Sequence, residues 1–527
     1  MISDFDLTLY LVTDSQMVPK TKTLAQMVKE AIEGGVTIVQ LREKTTETND
    51  FITLAKSIQQ VTKKHNVPLL INDRIDVALA IDADGVHIGQ DDMPLDMARR
   101  LLGNKKIIGV SVKSSGEAID AIKGGADYLG IGTCFDTATK QVSEGDLRGP
   151  VGIREIWQAA LDTGGDKPVR AVTIGGVNTY NAVHVLHCTR AQTPESRALD
   201  GIAVVSAIMA ASDPRDAAKT LRKQINFALC ESWLAKQQRL LRNESSRHAE
   251  ATVRQAVVDV FTQVRISSSQ RALIQHITNS VVTNDSANTC LALGGSPIMA
   301  TSDIEQKDLA PAISALLINI GTIDQEHLKG MRAAMREAQL YNTPIVLDPV
   351  AIGASEFRKT LVHGFLRDFG VHVIKGNAGE IASLLDTKEV QMRGVDSLGS
   401  GFADPVAAVK ALSLRYRCIV VMTGVVDYVS DGITTFSVHN GHFMQGCITG
   451  SGCMVGTSVA TFVQAVAHQD PLVGALAGVV AINLAAEHAA RRPDVKGPGT
   501  FRQAFFDEMY NIAPDDIHSE MQIRRLS

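Results

Sequence analysis

Eight short apolar runs divide the first 228 residues: Leu7–Val12, Val36–Leu41, Pro68–Ile71, Gly85–Ile88, Lys106–Val112, Tyr128–Ile131, Val169–Ile174 and Ile202–Val205. Most stay apolar along their whole length, as strands buried on both faces must. Between them lie stretches of helical spacing, such as Thr23–Glu33, Asn49–His65, Ser114–Gly124 and Asn178–Leu186. A strand–helix unit repeated eight times in about 225 residues matches a closed parallel (β/α)8 barrel in strand count and size. An open doubly wound sheet is the competing arrangement, but it seldom uses eight regular units. The polar stretch Thr189–Asp200 reads as a surface insertion before the last strand.

After Phe227 the texture changes. Glu231–Arg254 is rich in Gln, Arg, Glu and Ser and reads as a helix fraying near Arg242–Arg247. We therefore expect a barrel over 1–238, a linker over 239–254 and a second α/β domain over 255–527. Strands are expected there at Leu316–Ile320, Pro344–Asp348, Val371–Ile374, Cys418–Met422, Asp427–Ser430 and Thr434–Val438, followed by a long apolar helix, Cys453–Ala467. The apolar run Pro471–Ile482 is too short to span a bilayer and reads as a buried helix. The N-terminus carries no signal-peptide pattern. Lys and Arg number 52 against 57 Asp and Glu, so no basic excess exists to grip nucleic acid or an anionic membrane, and any phosphate site must be local. The seven cysteines show no C-x-x-C spacing and no H-E-x-x-H occurs, which argues against zinc and for reduced thiols in a cytosol-like compartment.

In the first half, Gln40, Arg42 and Lys44 fall on one face at the C-terminal end of the second run. Barrel active sites sit at such ends, and two cations with an amide suit a polyanion such as diphosphate. Asp73 and Asp92 follow the ends of the next two strands, where paired carboxylates can share one Mg²⁺ bridging phosphates. The alternative is that Asp73 or Asp91 caps a helix. His87 is mid-strand and is given a structural role. Ser111 and Lys113 end the fifth run; Gly132–Lys140 reads as a lid. Gly175-Gly176 and Val205-Ser206 follow strands seven and eight, where barrels bind phosphate on backbone N–H groups.

These residues resemble thiamine-phosphate synthase over the whole of 1–228, through YLVTD (10–14), QLREK (40–44), NDR (72–74), DGVHIGQDD (84–92), GVSV (109–112), TATK (137–140), IGGV (174–177) and VVSAI (204–208). The resemblance implies that Gln40, Leu41, Arg42, Glu43, Lys44, Asn72, Ser111 and Lys140 hold an aminopyrimidine diphosphate. It implies Mg²⁺ on Asp73 and Asp92, and a thiazole phosphate on Thr137, Ala138, Thr139, Gly175, Gly176, Val205 and Ser206. Arg42 and Lys140 would stabilise the departing diphosphate. The thiazole tautomerase branch of this barrel should not need the Mg²⁺ and diphosphate set kept here.

In the second half, several expected strands end in Gly-containing loops, and Thr449-Gly-Ser-Gly-Cys453 opens the long helix, an anion hole for a transferring phosphoryl group. No G-x-x-x-x-G-K-[ST] and no H-R-D or D-F-G set is present. From about Gln255 onward the pattern resembles hydroxyethylthiazole kinase, a ribokinase-like enzyme. The resemblance implies thiazole binding at Met299 and Gly450, ATP binding at Lys375 and Thr423, and Mg²⁺ at Asp348 and Glu380 through Asn377-x-x-Glu380. Cys453 takes the place of the catalytic Asp of related kinases, at a helix N-terminus expected to lower its thiol pKa. Two departures stand out: Ala351-Ile-Gly-Ala where Gly-Ala-Gly-Ala is usual, and Gly450-Ser-Gly-Cys where Gly-Thr-Gly-Cys is usual. Ala351 removes backbone freedom near the metal loop. The family's intersubunit site implies a homo-oligomer, a trimer or hexamer.

Together the halves resemble the fungal bifunctional thiamine-biosynthesis enzymes: a cytoplasmic enzyme with small-molecule substrates, ATP as co-substrate and Mg²⁺ in both halves. Two alternatives stay open, a non-catalytic precursor sensor and a chain with one active half.

Overall fold

The structure is a computed structural model, and it describes residues 5–137, 147–165, 168–191, 197–232, 234, 249–266, 271–387, 391–393, 396–398 and 401–527. It divides into two compact units, Met1–Glu231 and Ser232–Ser527.

The first unit closes as eight parallel strands in sequence order: β1 (Leu9–Val12), β2 (Ile38–Leu41), β3 (Leu69–Asn72), β4 (Gly85–Ile88), β5 (Ile107–Val112), β6 (Tyr128–Ile131), β7 (Ala171–Thr173) and β8 (Gly201–Val204), with β8 paired back to β1. The expected barrel is therefore found, and the open sheet is excluded. Alternate residues fill its interior, among them Tyr10, Val12, Ile38, Leu70, Ile107, Tyr128, Val172 and Ala203. The other set, including Leu9, Leu11, Val39, Leu41, Leu69 and Ile71, packs outward against the helices. One expectation needs correction: within Thr189–Asp200, residues Thr189, Arg190, Ala191 and Leu199 are buried, so the ends of that stretch belong to the core. Residues 192–196 lie outside the described residues.

The second unit is built on a nine-stranded sheet in the order β10-β9-β11-β12-β13-β16-β17-β18-β19. These are β9 (Leu273–Ile277), β10 (Ser296–Ile298), β11 (Ala315–Asn319), β12 (Ile345–Asp348), β13 (Val373–Asn377), β16 (Ile419–Thr423), β17 (Asp427–Ser430), β18 (Thr435–Val438) and β19 (Ile523–Arg525); β14 (Gln391–Arg393) and β15 (Asp396–Leu398) form a separate hairpin. Strands β10 to β16 run parallel and β17 to β19 add antiparallel, so β9, β10 and β19 extend the six strands expected from sequence. Ser296–Ile298 and Ile523–Arg525 are three residues each, too short to show a period. One sheet face packs on Glu250–Ile266, Ser451–Val463 and Pro471–Arg491, the other on Gln325–Tyr341 and Glu356–Asp368. Pro471–Arg491 runs nine residues beyond the apolar run seen in sequence and is long and apolar enough to cross a membrane, yet 89% of its apolar window is buried in this core.

Residues 239–248 of the expected linker lie outside the described residues, but residues 250–254 are already helical. Val253 is buried, and the Arg254 guanidinium donates to the Met521 and Ile523 carbonyls, each at 2.9 Å. A second unit expressed from residue 249 is expected to exceed one expressed from residue 255 by about 2–4 kcal/mol, from one buried valine and two hydrogen bonds. Equal denaturant midpoints would show that the first turns contribute nothing.

Candidate active sites

At the C-terminal end of the barrel lies a cavity of about 360 Å³ lined by Gln40, Arg42, Lys44, Asn72, Asp73, Asp92, Ser111, Thr137, Gly175, Gly176, Val205 and Ser206. Strands β2 to β8 thus bring together twelve of the residues singled out from sequence. Ala138, Thr139 and Lys140 lie outside the described residues. Leu41 and Glu43 do not line the cavity. Strand alternation turns Leu41 into the outer core, and Glu43 accepts hydrogen bonds from Ser15 and, at 3.2 Å, from Thr46.

Asp73 follows β3 in a left-handed turn, φ 60°, and its Oδ2 lies 2.5 Å from Lys44 Nζ. Asp92 Oδ2 accepts the Gly89 N–H at 2.7 Å. Burial, and then the neighbouring Asp73 carboxylate, hold the Asp92 carboxyl above its usual range. Two neighbouring carboxyl groups, one of them disfavoured as an anion until a cation arrives, are oxygen donors matched to a hard divalent cation. Neither Asp73 nor Asp91 caps the following helix with its side chain: Arg74 precedes Ile75–Ile81 and Pro94 precedes Leu95–Leu102, and neither end has a side-chain cap. The Arg42 guanidinium makes no hydrogen bond or ion pair with the described residues, and the buried Asn72 Nδ2 has no protein partner. An unpaired cation and an unsatisfied donor in one cavity are what an anionic ligand would satisfy. Gly175 and Gly176 have φ 101° and 65°, and a Cβ on Gly175 would stand 2.3 Å from Thr133 Cγ2, so this loop requires glycine.

His87, given a structural role from sequence, lines the same cavity, as does Tyr10. Burial lowers the His87 pKa to about 4, so the ring is neutral. The available signal was a polar residue in the apolar run Gly85–Ile88, on the face that register aligns with Asn72.

In the second unit Asp348, Lys375, Glu380 and Thr423 lie at or just after the C-terminal ends of β12, β13 and β16. Asp348 ends β12 fully buried; its Oδ1 lies 3.2 Å from Lys375 Nζ and its Oδ2 accepts Asn319 Nδ2 at 3.0 Å. Lys375 is 4% exposed; burial opposes its charge, but Asp348, Glu380 and Cys453 outweigh it and raise the pKa. Burial pushes Glu380 up to about 7, against the pull of Lys375. Asn377-x-x-Glu380 forms a capping box: Asn377 accepts the Glu380 N–H, and Glu380 Oε2 accepts the Asn377 N–H at 2.8 Å. Glu380 Oε1 also accepts the Ala351 N–H at 2.9 Å. Each oxygen keeps a further lone pair for a cation. Ala351 itself sits at φ 56°, the left-handed region that glycine favours, so this departure carries a conformational cost.

Gly450, φ 87°, caps the helix Ser451–Val463, and a Cβ there would meet Val282 Cγ1 at 2.4 Å. Met299 directly follows edge strand β10, half-buried. Thr423 ends β16 opposite Asn377. Cys453 Sγ lies 3.2 Å from Asn319 Nδ2 and 3.6 Å from Asn279 Nδ2. Its thiol departs from expectation: burial, reinforced by Asp348, raises the pKa to about 11, so desolvation overrides the helix terminus and the group is a neutral thiol. Asn279 and Asn319 were missed in sequence because an Asn ending a strand looks like an ordinary turn residue.

Each unit carries its own cluster of carboxylates and cations at strand ends, the arrangement of an enzyme with two separate sites. The Thiamine monophosphate synthase family model matches residues 9–208, and the Hydroxyethylthiazole kinase family model matches residues 264–515. Among similar proteins is the probable thiamine biosynthetic bifunctional enzyme of Schizosaccharomyces pombe, 38% identical over 98% of this chain and 97% of that protein. The thiamine biosynthetic bifunctional enzyme of Saccharomyces cerevisiae is 37% identical over 97% of this chain and 96% of that one. The chain belongs to the family of thiamine biosynthetic bifunctional enzymes.

Proposed function

We propose that the second unit phosphorylates hydroxyethylthiazole with ATP, and that the barrel joins the resulting thiazole phosphate to an aminopyrimidine diphosphate, giving thiamine phosphate and diphosphate. The observation that carries this reading is the barrel cavity, where Arg42, Lys44, Asp73 and Asp92 converge beside the glycine loop of Gly175-Gly176. In the barrel, the C–O bond to diphosphate breaks first, leaving a pyrimidine-methyl cation that the thiazole nitrogen captures. Arg42, Lys44 and Ser111 would hold the departing diphosphate, with Lys140 added by the resemblance. Gln40 and Asn72 would orient the pyrimidine. The loops at Thr137–Thr139, Gly175-Gly176 and Val205-Ser206 would hold the thiazole phosphate. Mg²⁺, when bound by Asp73 and Asp92, supplies charge neutralisation for the leaving group.

In the kinase, Gly450-Ser-Gly452 offers backbone N–H groups to the transferring phosphoryl, Lys375 and Thr423 serve the nucleotide, and Asp348 and Glu380 are the oxygen donors suited to Mg²⁺. Met299 and Gly450 border the thiazole. Cys453, as a neutral thiol, orients the hydroxyl rather than acting as an ionised base; a loose phosphoryl-transfer transition state needs little base strength. Val281 and Phe443, 61% and 72% exposed, are apolar side chains that a second copy would cover in the homo-oligomer the resemblance implies. Seven free cysteines suit a reducing, cytoplasmic setting.

The test is a coupled assay: ATP, hydroxyethylthiazole and aminopyrimidine diphosphate should give thiamine phosphate, and omission of ATP should abolish it unless thiazole phosphate is supplied. Cys453→Ala is expected to slow the kinase by about tenfold without abolishing it, the loss of one positioning hydrogen bond. Cys453→Asp should stay active, since the Asn279 and Asn319 amides and Lys375 would meet the new carboxylate. Wild-type turnover in Cys453→Ala at saturating ATP and thiazole would reduce Cys453 to a packing residue.

A further inference from the structure

Inside the barrel a single file of hydrogen bonds runs across the floor of the cavity. Gln40 Nε2 donates to Tyr10 Oη at 2.6 Å, Tyr10 Oη meets Tyr128 Oη at 2.7 Å, Tyr128 Oη meets His87 Nδ1 at 2.7 Å, and His87 Nε2 meets Ser111 Oγ at 2.8 Å. Gln40, Tyr10, Tyr128 and His87 are all at least nine-tenths buried. Two glycines clear the space: a Cβ on Gly109 would stand 2.0 Å from Tyr128 Cζ, and one on Gly130 2.9 Å from His87 Cε1. The barrel gives up two interior side chains to seat these rings, more than packing alone asks of a core that Val or Ile would fill.

The file has a direction, because each member has few protons to give. The Gln40 amide donates, so Tyr10 accepts and must turn its one proton to Tyr128. Tyr128 then has only its own proton to offer His87 Nδ1, which must accept. The neutral imidazole therefore carries its proton on Nε2 and donates to Ser111 Oγ. Ser111 is left with its own O–H pointing out of the file. We infer that Gln40, Tyr10, Tyr128 and His87 form a directional hydrogen-bond chain that locks Ser111 as a donor toward an anionic oxygen of the substrate. Tyr10, Tyr128 and His87 are positioning residues for the synthase, acting through Ser111. The low pKa of His87 fits, since a protonated ring would donate from both nitrogens and break the direction.

This rests on the reading that Ser111 contacts the diphosphate. The test is a double-mutant cycle on synthase turnover in the full chain, with kinase turnover of the same preparations as control. Ser111→Ala is expected to cost about 10²-fold, as for loss of one donor to a developing anion. Tyr128→Phe keeps the ring, breaks the file and is expected to cost about tenfold. The double variant is expected to be no slower than Ser111→Ala within about twofold, because the chain acts only through that hydroxyl. Multiplying losses, about 10³-fold, would overturn the inference and make Tyr128 a packing residue. A Ser111→Ala enzyme of normal turnover would instead remove the Ser111 reading beneath it.

Gln40→Glu gives an independent check. A carboxylate can only accept, so Tyr10 must donate to it, every bond in the file reverses, and Ser111 must spend its proton on His87 Nε2. Adding Ser111→Ala to Gln40→Glu is then expected to change turnover by less than about twofold, where the same change in the wild-type background costs about 10²-fold. An undiminished effect of Ser111→Ala in the Gln40→Glu background would overturn the proposed direction.

Discussion

Asp92→Ala is expected to lower synthase turnover by roughly 10²–10⁴-fold, the several kcal/mol that a divalent cation contributes to a departing diphosphate. Asp92 stands close enough to Asp73 that the neighbouring carboxylate adds to burial in disfavouring its charge, and Asp73 is already engaged by Lys44 at 2.5 Å. Removing Asp92 takes away the carboxylate least committed to a protein cation and leaves Asp73 neutralised by Lys44, so the cation loses both a ligand and its electrostatic reason to bind. Kinase turnover of the same protein should be unchanged, because the kinase cluster lies in the other compact unit. Raised Mg²⁺ should recover only part of the loss. Near-normal synthase activity in Asp92→Ala would defeat the assignment of this pair to the metal.

Asp348→Ala is expected to remove kinase activity by roughly 10²–10³-fold, by the scale of a lost electrostatic contact in a water-excluded site. It should also destabilise the second unit by about 3–5 kcal/mol, the cost of stranding one member of a buried ion pair. Lys375 would keep Glu380 and, with a weaker interaction, Asp427 as nearby carboxylates, and both Glu380 oxygens already hold backbone N–H groups of Asn377 and Ala351. Asp348→Asn separates the two effects. It preserves volume, so the unit should unfold closer to wild type while kinase turnover stays low. Synthase turnover should hold in both variants. A folded Asp348→Asn enzyme with wild-type kinase turnover would exclude Asp348 from the phosphoryl-transfer machinery.

The barrel was legible because its signal is local and repeated. Eight runs buried on both faces announce themselves as uninterrupted apolar residues, and Gln40, Arg42, Lys44, Asp73 and Asp92 stand out as polar residues at the ends of those runs. Strand alternation singles out Gln40, Arg42 and Lys44; the resemblance takes in all of QLREK, yet Leu41 turns to the outer core and the Glu43 carboxylate to Ser15 and Thr46. Asn377-x-x-Glu380 was legible as a pattern, but only the structure shows that it is also a capping box tying down Ala351.

What the sequence determined by itself was whatever depends on a residue and its near neighbours: the eight barrel strands, six of the nine strands of the second sheet, and which strand ends carry charge. What only the tertiary structure decided depends on residues far apart in the chain. The thiol of Cys453 sits at a helix N-terminus, which favours the thiolate, but packing half-buries the residue beside Asp348, and the loss of solvent outweighs the terminal dipole. His87 looked like a core histidine because its partners, Tyr128 and Ser111, lie 41 and 24 positions away and reach it only when the barrel closes. Hydrogen-bond direction and desolvation are properties of an enclosed volume, and no stretch of sequence encloses one until the strands meet.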